Sequence, residues 1–318
     1  MELFDILLRQ ISVFLILMAV GFAARITNLV PKDVFTALAM VIVNLLQPLF
    51  MLTMLSSPDI RIGFTELLSL LLAFLAHYLL TLTAIGLLGK ARKWEPLFTD
   101  LNKSLLTSAS AGFMGVPLAV SLLGVVGTFY IALFASIDIL IQWTYKVNLM
   151  RRHQQQTVQS LEIPRWKRIL TPQLVSVAAG ILIGVLRIDF SGSILWDTLK
   201  EVGTMMKLTG MIYVGSTLVD INRESIKYIK SFIFIVVVRM VLYPIAFCYL
   251  LSLLPWFTPF MIMTIAILIS LPPMVSLLVM IRNMQIEETY SAQCMLVTTA
   301  ISLFTIPAVL WVVMNWIV

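Results

Sequence analysis

Apolar residues run along this chain in ten stretches, punctuated by charged residues or by Pro and Gly: 10–25, 34–55, 64–89, 104–123, 125–146, 170–187, 194–219, 231–254, 259–281 and 288–316. A membrane-crossing helix needs roughly 20 such residues, so the pattern predicts an all-α integral membrane protein of ten transmembrane helices. The third and tenth are long enough to tilt. The polar stretch from Asn148 to Arg168 holds HQQQTVQS and the basic cluster Arg165, Lys167 and Arg168. It separates two halves of five helices each, residues 1–147 and 169–318, joined by the loop 148–168.

Composition agrees. The 318 residues are 60% hydrophobic and 12% charged, with a mean hydropathy of +1.00, against roughly 45–50% apolar and about 25% charged in soluble domains. Such a chain lacks the polar surface that water requires. A soluble enzyme, a nucleic-acid binder and a single-span receptor are all excluded. Cys248 and Cys294 lie inside apolar stretches, so no disulfide framework and no metal-ligand spacing arises. The opening MELFDILLRQ is acidic and is followed by no small-residue cleavage site, which reads as a first helix rather than a signal peptide.

The net charge of +6 would suit a polyanion partner, but in a membrane protein Lys and Arg report orientation first. Sixteen of the 22 fall in the loops after odd-numbered helices, Lys103 and Lys146 among them. Only Arg61, Arg187 and Lys200 follow even-numbered ones. The positive-inside rule then places the odd loops in the cytoplasm and both termini on the non-cytoplasmic side of the cell membrane.

An internal repeat refines the picture. Pro117-Leu-Ala-Val-Ser-Leu-Leu123 in the fourth helix matches Pro272-Pro-Met-Val-Ser-Leu-Leu278 in the ninth. The two lie at the equivalent position of each half. Five helices per half is an odd number, so the halves enter the membrane with opposite orientation, as in the inverted repeats of many secondary transporters. Pro lacks an N–H and clashes with the carbonyl one turn back. Together with Gly112, Gly115 and the doubled Pro272-Pro273, this predicts that the fourth and ninth helices are broken and cross near the membrane midplane. Pro48, Pro244 and Pro307 read as simple kinks.

Half-helices that meet at the midplane present N-terminal ends equivalent to roughly +0.5 charge each, and their free N–H groups bind carboxylate. The expected substrate-binding ends are Gly115, Val116 and Pro117 on one side and Pro273, Met274 and Val275 on the other, next to Gly112 and Pro272. Ser108, Ser110 and Ser276 either add hydroxyl donors or bond their own backbone. Asp138 lies well inside the fifth helix, with Gln142 and Tyr145 on the same face. A carboxylate at that depth is a functional hypothesis by default. It either binds a coupling proton or sodium ion, together with Gln142, or balances the positive helix ends. Lys207 either attracts an anion or snorkels to the outer surface. Arg239, two turns into the eighth helix, reads as a snorkelling residue, and His77 as a packed one. The stripe Ser291, Cys294, Thr298, Ser302 and Thr305 of the tenth helix reads as small-residue packing against the fifth helix or the crossing.

Several stretches resemble the auxin efflux carrier family. QISVFLILMAVGFAARITNLVPKDVFTALAMVIVNLLQP resembles the family's first two helices, with the polar end Asn44, Gln47 and Pro48. AGFMGVPLAVSLLG, from Ala111 to Gly124, resembles the crossing in the fourth helix. VVVRMVLYPIAF resembles the eighth helix, and ISLPPMVSLLVMIRNMQIEETYSAQCMLVTTAISLFTIPAVL the ninth and tenth. The resemblance implies a crossover fold shared with bile-acid and sodium/proton transporters. Helices 1, 2, 6 and 7 would form its scaffold, and helices 3–5 with 8–10 a mobile transport domain. It also adds Asn44 and Gln47 to the expected substrate-binding residues. The chain departs from the family pattern at Ser110 and Asp138, where Asn is common, and at Leu208, where Pro is frequent.

The function expected from all this is a secondary carrier for a small organic anion, with no cofactor beyond a coupling proton or sodium ion. No phosphate-binding G-x-x-x-x-G-K-[ST] pattern occurs. The competing reading is a membrane sensor that binds the same anion without moving it; a membrane enzyme lacks any H-E-x-x-H or G-x-S-x-G motif. Partners expected are the lipid bilayer and, through Leu/Val-rich faces of the second and seventh helices, a second copy of the chain; nucleic acid is not expected.

Overall fold

A computed structural model describes residues 2–56, 63–153, 171–190, 192–220, 228–284, 286 and 288–318. The described residues are helical and include no strand. In chain order the helices are α1 (Glu2–Ile26), α2 (Lys32–Leu55), α3 (Phe64–Ala91), α4 (Pro96–Leu106), α5 (Val116–Leu122), α6 (Gly124–Arg151), α7 (Pro172–Val185), α8 (Ile194–Thr204), α9 (Met206–Thr217), α10 (Ser231–Ser252), α11 (Pro259–Ser270), α12 (Val275–Asn283) and α13 (Glu288–Trp316). Among them α2, α3, α6, α10 and most of α13 are each long and apolar enough to cross a membrane, and Ser12–Ile26, α7 and α11 are shorter apolar helices.

The fourth, seventh and ninth predicted helices come in pieces; the seventh is divided at Met205 alone, between α8 and α9. Residues 107–110 separate α4 from a π-helical turn, Ala111–Gly115, that leads into α5; residues 271–274 separate α11 from α12. In the ninth, the doubled proline sits in the interruption itself. In the fourth, the interruption falls about one turn before the predicted Gly112–Pro117. Pro117 instead occupies the first turn of α5, where its missing N–H costs no hydrogen bond. Loop assignments are also corrected. Lys103 lies inside α4 and Lys200 inside α8, and α6 runs past the predicted end at 146, so that Lys146 is helical and buried. Most of the polar linker, including Arg165, Lys167 and Arg168, lies outside the described residues.

Prolines shape three of the four π-helical turns among the described residues. Ile42–Leu46, Ala111–Gly115 and Ile235–Leu242 each end two residues before a proline: Pro48, Pro117 and Pro244. In α2 the Gln47 N–H reaches back to the Ile42 carbonyl. The next carbonyl, Val43, would then need the N–H of residue 48, which is proline. Gln173 of α7 fills the gap, donating its Nε2 to the Val43 carbonyl at 2.9 Å. Pro307 sits inside the long α13 without dividing it.

The helices sort into two compact units. The first comprises Met1–Ile62, Ala111–Ser136 and Leu170–Asp220. It is held by close helix packing at glycines. A Cβ at Gly21 of α1 would fall on the Ile212 carbonyl of α9, and one at Gly215 of α9 on the Met18 carbonyl of α1. Gly180 and Gly184 of α7 meet Leu52 and Leu55 of α2 in the same way, and Gly203 of α8 meets the Phe50 backbone. Lipid gives no hydrophobic push between helices, so close backbone approach at small residues does the packing. Gly215→Val is accordingly expected to lower stability by roughly 1–3 kcal/mol through overpacking. Gly86→Ala, whose new Cβ meets nothing closer than 3.6 Å, leaves it unchanged. Thermal midpoints in detergent measure both.

The second unit comprises Gly63–Ser110, Ile137–Ile169 and Ile221–Val318. Its α3 shows how the chain meets lipid. Leu68, Leu71, Leu72, Leu75 and Leu79 recur at helical spacing and are exposed, whereas Ser69, His77 and Thr81 are buried. Apolar outside and polar inside suits a bilayer rather than water. Elsewhere in the unit lies an aromatic and polar cluster in which Tyr290 of α13 donates to Asn102 of α4 at 2.8 Å and packs against Phe98 and Phe232.

Candidate functional site

The second unit contains the interruptions of the fourth and ninth predicted helices, and they are bonded to each other. The Ser110 N–H donates to the Pro272 carbonyl at 2.8 Å. Ser108, Ala109, Ser110, Pro272 and Pro273 are buried, so the unwound backbone lies in protein and not in lipid, as the absence of water there requires.

Two helices end at these interruptions, and each exposes carbonyls that carry the negative end of its dipole. One side chain serves both ends. Arg239 of α10 donates from Nε to the Leu106 carbonyl, the last residue of α4, at 2.6 Å. Its Nη1 donates to the Ile269 carbonyl near the end of α11. Arg239 is only 7% exposed, so the expectation that it snorkels is corrected: its planar fork holds two donors at angles that fit two separate acceptors. The signal in the sequence was an arginine five residues before Pro244, inside an otherwise apolar run.

On the other side of the interruption lies an ion pair. Asp138 accepts the Ala109 N–H at 3.1 Å through Oδ2 and the Lys146 ammonium at 2.7 Å through Oδ1. Lys146 also donates to Ser108 Oγ at 2.8 Å, and both side chains of the pair are fully buried. Ser108 in turn bonds the Ser104 carbonyl of its own helix at 2.7 Å. Asp138 and Lys146 are eight residues apart, which in a straight α-helix puts them about 80° out of phase. The π-helical turn Gln142–Lys146 widens the spiral between them and brings them towards the same face. That spacing, a carboxylate and an ammonium two turns apart at the end of an apolar run, was the legible trace of Lys146.

Gln142 completes the cluster. Its Oε1 accepts from Ser276 Oγ, in the first turn of α12, at 3.1 Å. Its Nε2 is buried and has no hydrogen-bond partner among the described residues. Thr298 of the α13 stripe lines a crevice with Ser108, Pro273 and Arg239, and the rest of the stripe, Ser291, Cys294, Ser302 and Thr305, is buried as well. His77 bonds the Tyr243 hydroxyl through Nδ1 at 2.9 Å.

The remaining expected residues divide as follows. Gln47 and Gly112 belong to the first unit and touch; a Cβ on Gly112 would strike the Gln47 amide. Gly115, Val116 and Pro117 also lie in that unit and are buried. Asn44 is exposed, away from the buried face that carries Gln47, because the two are three residues apart across the π-helical turn. Pro272 and Pro273 are buried, and Met274 and Ser276 half-buried, in the second unit. Lys207 lies on α9, and its side chain is outside the described residues.

The arrangement holds no group of three or more metal-ligating side chains among the described residues. What it offers is a buried amide donor, a serine at a helix N-terminus and unwound backbone, the components of an anion site. A family model described as membrane transport protein matches residues 6–310, almost the entire chain. No curated protein matches it.

Proposed function

Since this chain belongs to the membrane transport protein (auxin efflux carrier) family, we propose that it is a secondary active transporter that carries a small organic anion, a mono- or dicarboxylate, by alternating access. The observation that carries this reading is the Gln142 Nε2, a buried donor without an acceptor among the described residues, beside the first turn of α12. Leaving such a donor unmade costs roughly 1–3 kcal/mol, a cost that a carboxylate bound there removes. The α12 N-terminus adds the positive end of its dipole and Ser276 a hydroxyl.

The ten-helix inverted repeat belongs to the same proposal. Its support is that an interruption falls in the fourth helix of each half, the two helices that also carry the P-x-x-V-S-L-L repeat. In the proposed topology the loops after odd helices are cytoplasmic and both termini face out. Two ion-pair clusters favour it. Asp220, just past the seventh helix, lies 3.7 Å from Arg25 and 3.6 Å from Lys32 of the first loop. His153, at the end of the fifth helix, lies 2.9 Å from Asp100 near the start of the fourth. Each joins the odd-loop ends of two helices. In the proposed mechanism α1, α2 and α7–α9 act as the scaffold.

Counterflow tests the function. Proteoliposomes loaded with unlabelled succinate, or with another small carboxylate from a panel, are expected to accumulate the labelled acid transiently. Saturable binding of the acid without exchange would favour a sensor, and neither binding nor exchange across the panel would remove the organic-anion reading.

A further inference from the structure

Resting on the carrier reading, we propose that Lys146 is a tethered cation that occupies the seat a coupling sodium ion or proton would need at Asp138, so that Asp138 is satisfied without an ion from solution. In carriers with broken helices a coupling cation is held by unwound carbonyls, by the C-terminal ends of half-helices and by nearby carboxylates. One or more acceptors of each kind are already served here by a group of the protein, the unwound Pro272 carbonyl by the Ser110 N–H. The C-terminal carbonyls of α4 and α11 take the Arg239 guanidinium. The Asp138 carboxylate takes Lys146 and the Ala109 N–H. Ser108 Oγ, a natural third ligand for a cation beside Asp138, is occupied by the same ammonium.

The charges balance locally. Asp138 and Lys146 cancel at 2.7 Å with neither exposed, and Arg239 faces the partial negative charge of two helix ends. A mobile cation entering beside Asp138 would have to displace an ammonium that cannot leave, in surroundings where like charges repel strongly. The other titratable or charged groups around the pair are Tyr78, whose ring lies 5.8 Å from Lys146 Nζ, His77 on the same helix, and Arg239 on α10. None of them supplies a second carboxylate. The substrate anion is thereby left to the helix N-terminus and Gln142, and its own charge couples transport to the membrane potential.

The test is a melting experiment on the purified full-length protein in detergent, which needs no substrate and is independent of whether counterflow is seen. The wild type is expected to melt at the same temperature in sodium chloride and in choline chloride, at acid and at neutral pH. Lys146→Met leaves Asp138 beside the Ala109 N–H and the neighbouring Tyr78, with the seat of the ammonium vacant. It is expected to melt lower and to regain at least about 3 °C with sodium or on acidification, as linkage to a bound cation requires. Adding Asp138→Asn to Lys146→Met abolishes that response. Should Lys146→Met fail to fold, Lys146→Ala supplemented with propylammonium, a free copy of the missing group, is expected to fold and melt higher with it. The proposal is overturned if wild type responds to sodium or acid in a manner lost in Asp138→Asn, if folded Lys146→Met responds to neither, or if propylammonium rescues nothing.

Discussion

Replacing Arg239 with leucine is expected to disable this protein more thoroughly than replacing any other arginine in the described residues. The substitution keeps the apolar stem but removes two donors that serve the Leu106 and Ile269 carbonyls at the ends of α4 and α11. Each carbonyl left unpaired in a dry interior costs roughly 1–3 kcal/mol, and the two helix dipoles lose the positive charge that faces them. A loss of about 2–6 kcal/mol, which is a large share of the total stability of a domain, is therefore expected. It is read as a fall in thermal midpoint and in the yield of monodisperse protein. Arg239→Lys separates charge from geometry. A single ammonium restores the charge but lacks the flat fork that reaches two acceptors at once, so an intermediate loss is expected. If leucine and lysine behave alike and both melt within a degree or two of wild type, the clamp is not what holds the interruptions in place.

How far this was visible beforehand depends on which physical signal each feature leaves in one dimension. Helix starts follow from apolar runs, and α2, α3, α8, α11 and α13 begin within about two residues of where the pattern of hydrophobic positions placed them. Pro272-Pro273 marked one interruption because no helix continues through two missing donors. The other was displaced by a turn, since Pro117 is equally at home in the first turn of a new helix, and nothing local distinguishes ending one helix from starting the next. Charge was the misleading signal. A lysine at the end of an apolar run ordinarily reports a loop, and Lys146 sits where that rule applies. Its partner, Asp138, is two turns back and out of phase until a π-helical turn intervenes, a local widening that leaves no compositional mark. Arg239 was undervalued for a related reason. Its acceptors are backbone carbonyls, which every residue has, so no sequence pattern points to them.

Asp138→Asn is expected to be far more damaging than its conservative shape suggests. Asparagine preserves the volume and still accepts the Ala109 N–H, now held at 3.1 Å. It cannot neutralise Lys146, whose side chain has no exposure at all. An ammonium stranded in such a place is unpaired, and removing one partner of a buried pair typically costs about 3–5 kcal/mol. Lys146→Met strands the carboxylate instead and is expected to cost a similar amount, softened wherever a proton or sodium ion can take the empty seat. The double variant, Asp138→Asn with Lys146→Met, leaves no buried charge. Pairs of this kind are often replaced by neutral groups at little net cost because the desolvation penalty disappears with the attraction. The double variant should therefore recover most of the stability that either single variant loses, with a coupling energy of roughly 2 kcal/mol or more in a double-mutant cycle. Denaturation of the four proteins in the same detergent measures this directly. Additive losses would mean that the two side chains act independently and that the 2.7 Å contact contributes nothing. Recovery of stability together with loss of counterflow would mean that the pair serves transport, since a role confined to folding would be restored along with the fold.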